Sequence, residues 1–303
     1  MQKQTLFKFN KTKDTASITS AELGLSDIST TKIRFSRPKL MGILNITDDS
    51  FSDGGKYIET EKAINKALNM ITEGADIIDI GGESSRPGAN PISTKTEIKR
   101  VIPIIKEIRK INSIQISVDT YKSEVAENAL KSGADIINDI FSLRHDSNMI
   151  NILKDYPISK IVLMHMQGTP ETMQNNPFYN DVIEDIIDFF KERIDYCLDN
   201  GISEDRIIID PGIGFGKTFS HNLEIMKNID KFKFFGLPIL IGTSKKSFIG
   251  SIMRGSQSEV APMDRLSGTL ASSAVAIFNG ANILRVHDVK EHFEFINSLE
   301  WLL

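Results

Sequence analysis

The chain has 303 residues, 40% of them hydrophobic and 25% charged, with a formal net charge of −4. That is the makeup of an ordinary soluble globular protein; it gives no electrostatic case for nucleic acid or an anionic membrane surface, so any anion site must be local. One cysteine, Cys197, cannot form an internal disulfide and fits a reducing cytoplasm.

In chain order, residues 1–36 alternate polar and apolar in short pieces (5–9 and 32–35). They are expected to form an extension, as a hairpin closing a barrel base. The opening MQKQTLFKFNKTKD has no apolar core, so a secretory signal is not expected there. From residue 37 to 303 short apolar runs alternate with helical periodicity, and no Pro/Gly/Ser-rich linker divides them. The runs are 40–43 into Asn45, 77–80 around Asp79, 114–118 into Asp119, and 136–137 into Asn138. They continue with 161–164 into His165, 207–209 into Asp210, 239–241 into Ser244 and Lys246, and 283–284 into Arg285 and His287. Near-continuous apolar strands belong to parallel sheets buried on both faces. Eight of them between helices predict a (β/α)8 TIM barrel, with the active site at the carboxyl ends of the strands.

Apolar residues three and four apart predict helices near 60–74, 93–111, 121–133, 180–201 and 264–280. Gly74, Gly133, Gly201 and Gly280 stand at their ends. The phrases EGADIIDIGG, KSGADIINDI and FNGANILRVH share a glycine, a small residue and an apolar strand. The longest uncharged stretch, 266–284, is broken by Ser, Gly and Asn, so it predicts a small-residue helix and a strand rather than a membrane span. Two long polar loops, 47–55 and 81–90, follow the first two strands, where long loops are usually functional.

Asp119, Asn138 and Asp210 end strands three, four and six and converge on the barrel interior. Two carboxylates and an amide suit the donors and carbonyl of a fused ring edge, although each alone is also a common helix cap. Ser244 and Lys246 are two apart, as are Arg285 and His287, so in extended chain each pair faces one way. Loops after the last two strands are a frequent phosphate site, and an arginine beside a histidine suits a phosphoryl group. Asn45, near Asp48, Asp49 and Asp53, offers oxygen ligands for Mg2+ next to such an anion.

Nine segments in order strongly resemble the dihydropteroate synthase family: MGILNITDDSFSDGG (41–55), GGESSRPGA (81–89), SVDT (117–120), INDI (137–140), LMHMQGTP (163–170), DPGIGFGKT (210–218), GTSKKSFIG (242–250), RLSGTLA (265–271) and RVHDVKE (285–291). The resemblance implies a transferase of folate biosynthesis. It would condense 6-hydroxymethyl-7,8-dihydropterin diphosphate with para-aminobenzoate, giving 7,8-dihydropteroate and pyrophosphate by dissociative loss of pyrophosphate. It implies that Asp119, Asn138, Asp210 and Lys246 hold the pterin, and that Phe51, Ser85, Arg86, Pro87, Phe215 and Ser244 meet para-aminobenzoate. Asn45, Arg285 and His287 would hold the pyrophosphate, with Asn45 also on Mg2+. Lys246, Asp53, Arg285 and His287 would be the catalytic set. Phe51 and Asp53 belong to one lid over the substrate and Ser85, Arg86 and Pro87 to a second, while His165 shapes the barrel wall. Sulfonamide inhibition and a homodimer are further expectations of the family.

Asp48 stands where the family has proline, Ser85 where it has threonine and Lys245 where it has arginine; none removes a group the chemistry needs. A pterin-binding methyltransferase on the same barrel is the nearest alternative. It gives no reason for the Arg86-Pro87 loop or the Arg285/His287 pair. A Schiff-base aldolase would need Lys246 with a depressed pKa, and a pterin sensor without turnover would need only the grip.

Overall fold

The computed structural model describes residues 36–46, 56–85, 88–254 and 260–303, with 56–59 described for the backbone alone. The expected extension (all but its last residue) lies outside these, as do Phe51, Asp53, Arg86, Pro87 and Asp48.

All eight apolar runs are strands: β1 (Lys39–Asn45), β2 (Ile77–Gly81), β3 (Gln115–Asp119), β4 (Ile136–Asp139), β5 (Lys160–Met164), β6 (Ile207–Asp210), β7 (Leu240–Ile241) and β8 (Ile283–Val286). Every pairing is parallel, in the order β6-β5-β4-β3-β2-β1-β8-β7, and a bridge between Ile209 and Ile239 joins β6 to β7. The expected barrel is therefore the fold.

Around it run α1 (Lys56–Thr72), α2 (Thr94–Ile111), α3 (Ser123–Lys131), α4 (Met149–Asp155), α5 (Val182–Asp199), α6 (Phe219–Lys227), α7 (Ser247–Arg254), α8 (Leu266–Phe278) and α9 (Val289–Leu302). The five predicted helices match α1, α2, α3, α5 and α8 within a few residues. Helix α1 begins earlier than its periodicity suggested. Ser93 caps α2 by accepting from Thr96 N, Asp181 caps α5 by accepting from Ile183 N and Glu184 N, and Thr218 with His221 forms a reciprocal cap on α6.

The repeated glycine phrases have a structural reason. Gly74, Gly133 and Gly280 each stop a helix in a left-handed conformation. Two residues later Asp76 accepts from Leu40 N at 2.8 Å, Asp135 from Ile116 N at 2.8 Å, and Asn282 from Ile239 N at 2.8 Å. Each side chain thus satisfies an N–H near the start of the neighbouring strand, which would otherwise be buried without an acceptor.

Alternation along the strands sorts the barrel into layers. Met41, Ile77, Ile136, Val162, Ile208, Leu240 and Ile283 pack together as an apolar plug inside the barrel. Above it, on the same inward parity, come Asp79 and Ser117, which pair in register, then Asp119, Asn138, Asp210 and Arg285. The other parity packs outward against the helices in the main core, with Phe190 and Phe232 among its largest enclosed side chains. Burying each such aliphatic or aromatic side chain is worth about 1.5–3 kcal/mol. The apolar plug closes the barrel from below, so the polar layer can open only at the strands' carboxyl ends.

Candidate active site

Arg285, projecting inward from β8, links the polar layer. Its Nε donates to Asp79 Oδ2 at 2.6 Å and its Nη2 to Asp119 Oδ2 at 2.8 Å. Asn138 Nδ2 donates to the same Asp79 oxygen at 3.2 Å. Burial works against the arginine's charge, but Asp79 and Asp119 outweigh it and hold its pKa above the ordinary range. Burial also pushes the Asp119 carboxyl up, to about 7; Arg285 pulls it back and Asp79 adds to the rise.

Asp210 closes β6, and its Oδ1 accepts from Gly212 N at 2.7 Å. Gly212 has φ +69, and a Cβ there would lie 1.9 Å from the His165 carbonyl oxygen, so the turn under Asp210 needs glycine. Burial raises the Asp210 pKa while Lys246 and the Gly212 N–H lower it.

Strand β7 stops at Ile241, so Ser244, Lys245 and Lys246 do not continue it. The alternation expected of Ser244 and Lys246 fails for that reason: Lys246 N donates to Thr243 O at 3.1 Å, and Lys245 is left-handed at φ 60. Both side chains nonetheless reach the site. Lys246 Nζ donates to the Ile213 carbonyl and lies 4.7 Å from the centroid of the Phe215 ring. Burial lowers its pKa to about 8, with Asp210 opposing and Arg285 adding to the fall. Lys245 turns away onto Asp288 Oδ1 at 2.7 Å.

Ser244 is committed to His287: its Oγ accepts from the His287 backbone N–H at 3.1 Å and lies 3.0 Å from Nδ1. Burial, Arg285 and Lys245 drive the imidazole pKa down to about 3, so the ring is neutral near pH 7. Where the serine hydroxyl donates to Nδ1, the ring proton is on Nε2, which then acts as a donor.

Asn45 is exposed at the end of β1. A Cβ added at Gly81 would sit 3.4 Å from Asn45 Oδ1 and 3.6 Å from Asp119 Cβ, so Asn45 and Asp119 flank that glycine together. A neutral amide oxygen at an open mouth is the type of hard ligand Mg2+ accepts when phosphates and water complete its shell. No three His, Cys, Asp or Glu side chains converge as a metal cage among the described residues.

Beside Asp119 opens a cavity of about 230 Å3, walled by Glu83, Ser85, Tyr121, Phe141 and His145. A second, of about 190 Å3, is lined by Gly214, Lys217, Thr218 and Ser247. Lys217 was not expected here: its Nζ lies 2.9 Å from His165 Nδ1 and donates to Phe215 O at 3.0 Å. His165 is buried and held by that contact. Asp79 was seen only as part of an apolar run, although a carboxylate inside a strand buried on both faces is itself a signal.

The signature of the pterin binding enzyme family covers residues 41–287. A dihydropteroate synthase of Bacillus subtilis (strain 168) is 46% identical over 264 residues, spanning 87% of this chain and 88% of that protein. The chain belongs to the dihydropteroate synthase family. Among solved structures, a Yersinia pestis dihydropteroate synthase with a sulfonamide drug complex is 39% identical, with a TM-score of 0.81 over 90% of this chain and 96% of that one. A Xanthomonas albilineans dihydropteroate synthase in complex with 7,8-dihydropteroate is 36% identical, with a TM-score of 0.77 over 88% and 94%. These relatives of the dihydropteroate synthase family support the synthase reading and give none to the methyltransferase alternative.

Proposed function

We propose that this chain joins 6-hydroxymethyl-7,8-dihydropterin diphosphate to para-aminobenzoate, releasing pyrophosphate and 7,8-dihydropteroate. The observation that carries the proposal is the Asp79–Arg285–Asp119 chain, with Asn138 on it and Asp210 and Lys246 beside it, above the apolar plug. A flat ring with several N–H donors and one carbonyl matches two carboxylates, an amide and an ammonium. In this reading Asp119, Asn138 and Asp210 accept from the ring edge, and Lys246 donates to its carbonyl. Phe215, under Lys246, gives the aryl amine a flat wall, and Ser85 lines the cavity beside Asp119.

The aryl amine is a weak nucleophile and diphosphate a good leaving group, so bond breaking runs ahead of bond making. The C–O bond to the diphosphate breaks with its electron pair on oxygen. Arg285 and the neutral His287, donating through Nε2, take up the growing negative charge. The amine nitrogen then forms the new C–N bond and gives up a proton. No side-chain nucleophile enters; the protein positions groups and stabilises charge. Asn45 would hold Mg2+, which supplies further charge neutralisation to the diphosphate. Ser244, assigned to para-aminobenzoate, contributes through His287.

The depressed pKa of Lys246 meets one requirement of a Schiff-base aldolase. Such chemistry leaves the acidic and amide ring grip without a use.

Two coarser features complete the proposal. Ile252, Met263, Val275 and Phe278 are exposed on and beside α7 and α8, which fits a homodimer formed through that face. Cys197 is buried and unpaired, which fits the cytoplasm. No helix among the described residues is long and apolar enough to cross a membrane.

The test is steady-state pyrophosphate release with and without Mg2+, in wild type and Arg285→Ala. Turnover should require the metal. The variant should lose more in kcat than in affinity for a pterin lacking diphosphate, because the guanidinium acts on departing charge. Full activity in excess EDTA contradicts this.

A further inference from the structure

We propose that Asp79, to which no role attaches so far, is a positioning residue that sets the orientation of both Arg285 and Asn138. The proposal rests on the synthase reading above for what those two residues do. Its geometry is independent of that reading.

Asp79 lies in the middle of β2, one inward position below Gly81, and is 0% exposed. A carboxylate so enclosed must be paired, since an isolated buried charge is prohibitive. Both of its side-chain contacts among the described residues fall on one oxygen: Oδ2 accepts from Arg285 Nε at 2.6 Å and from Asn138 Nδ2 at 3.2 Å. Oδ1 is buried and has no partner among the described residues, as is the Oγ of its cross-strand neighbour Ser117. Among the described residues Arg285 is thus its one cationic partner.

The two carboxylates on Arg285 differ in reach. Asp119 ends β3 at the mouth, beside Asn45, where a ring edge can displace the guanidinium from its oxygen. Asp79 lies deeper, closed off from any ligand. A pterin that engages Asp119 therefore frees Arg285 Nη2 while the Nε contact persists, and the guanidinium pivots on Asp79. Arg285 carries five N–H donors; the described residues take one at Nε and one at Nη2, so release of Asp119 leaves four for a diphosphate while Nε stays on Asp79.

The same oxygen fixes Asn138. An amide that donates Nδ2 downward to Asp79 presents Oδ1 upward as an acceptor. Without Asp79 the amide is free to turn over and offer a donor to the ring instead. One enclosed carboxylate thereby sets two substrate contacts that lie on different strands.

The experiment is a double-mutant cycle of Asp79→Asn and Arg285→Ala, read in two ways. Turnover is measured with both substrates, and binding of inorganic pyrophosphate with Mg2+ by calorimetry in the presence of a pterin. Asp79→Asn alone is expected to lose about tenfold in each, the size of one charge-assisted hydrogen bond. In pyrophosphate binding the double variant is expected to be no worse than Arg285→Ala, since Asp79 has no guanidinium to position once it is gone, while turnover keeps only the smaller loss that comes through Asn138. Pyrophosphate-binding losses that multiply in the double variant, or an Asp79→Asn enzyme within about twofold of wild type where one such bond predicts tenfold, overturn the proposal. A third reading uses the wild type, so it survives a variant that fails to fold. The Arg285 Nε–H resonance, assigned by its loss in Arg285→Lys, should stay protected from exchange after pterin and pyrophosphate are added; loss of protection overturns the pivot. If the wild type releases no pyrophosphate, the synthase reading fails. The pyrophosphate-binding and Nε–H arms then still decide on Asp79.

Discussion

In the proposed pterin grip, Asp119 and Lys246 sit on opposite sides of one binding equilibrium. Asp119 must be anionic to accept from ring N–H groups, and its pKa, raised to about 7, makes affinity fall as pH drops through that value. Lys246 must be protonated to donate to the ring carbonyl, and its pKa, lowered to about 8, makes affinity fall as pH climbs past it. Pterin binding followed by calorimetry should therefore trace a bell with these two limbs, and Asp119→Asn should lose the acid one. An affinity flat from about pH 6 to 9 would separate both groups from the ring, because a group titrating in contact with a ligand must show in its binding. Asp210→Ala should weaken pterin binding by about fivefold or more, because it leaves ring donors buried and unpaired at a cost of about 1–3 kcal/mol. An unchanged Kd takes Asp210 out of the site.

At the scale of elements, the strands were legible because a parallel barrel strand is apolar on both faces, and its polar end marks the mouth. Asp119, Asn138, Asp210 and Arg285 were found that way, and the structure brings them to one layer. Ser244 and Lys246 were reached by the wrong argument: β7 ends at Ile241, and alternation does not extend into the turn that follows. Helices α4 and α7, 7 and 8 residues long, are too short for periodicity to declare. The Gly-Ala-Asp phrases were visible as a repeat, but their purpose needed the neighbouring strand. Asp76 illustrates it, with its carboxylate on Leu40 N at the start of β1. Asp76→Ala should lower stability by on the order of 1–3 kcal/mol, the cost of an unsatisfied buried N–H. Thermal denaturation reads this directly, and an unchanged Tm would mean that β1 finds another acceptor.

For the molecule as a whole, the fold sets what the site can be. An apolar plug closes the barrel from below, so substrates enter and pyrophosphate leaves at the strands' carboxyl ends. The same helices that enclose the barrel leave Met263 85% exposed, with Val275 and Phe278 on α8 nearby in sequence. Light scattering after size exclusion should give twice the 33.8 kDa chain mass, and Val275→Glu should shift it toward the monomer. A wild-type monomer at micromolar concentration removes that face as an interface. The central claim is that this site makes a carbon–nitrogen bond as a diphosphate departs. The most direct measurement is mass spectrometry of purified protein incubated with the pterin diphosphate, para-aminobenzoate and Mg2+, with pyrophosphate counted in parallel. The account predicts 7,8-dihydropteroate and pyrophosphate in equal amounts, with none of the pteroate product when para-aminobenzoate is omitted. Tight binding of both substrates with neither product formed would contradict it.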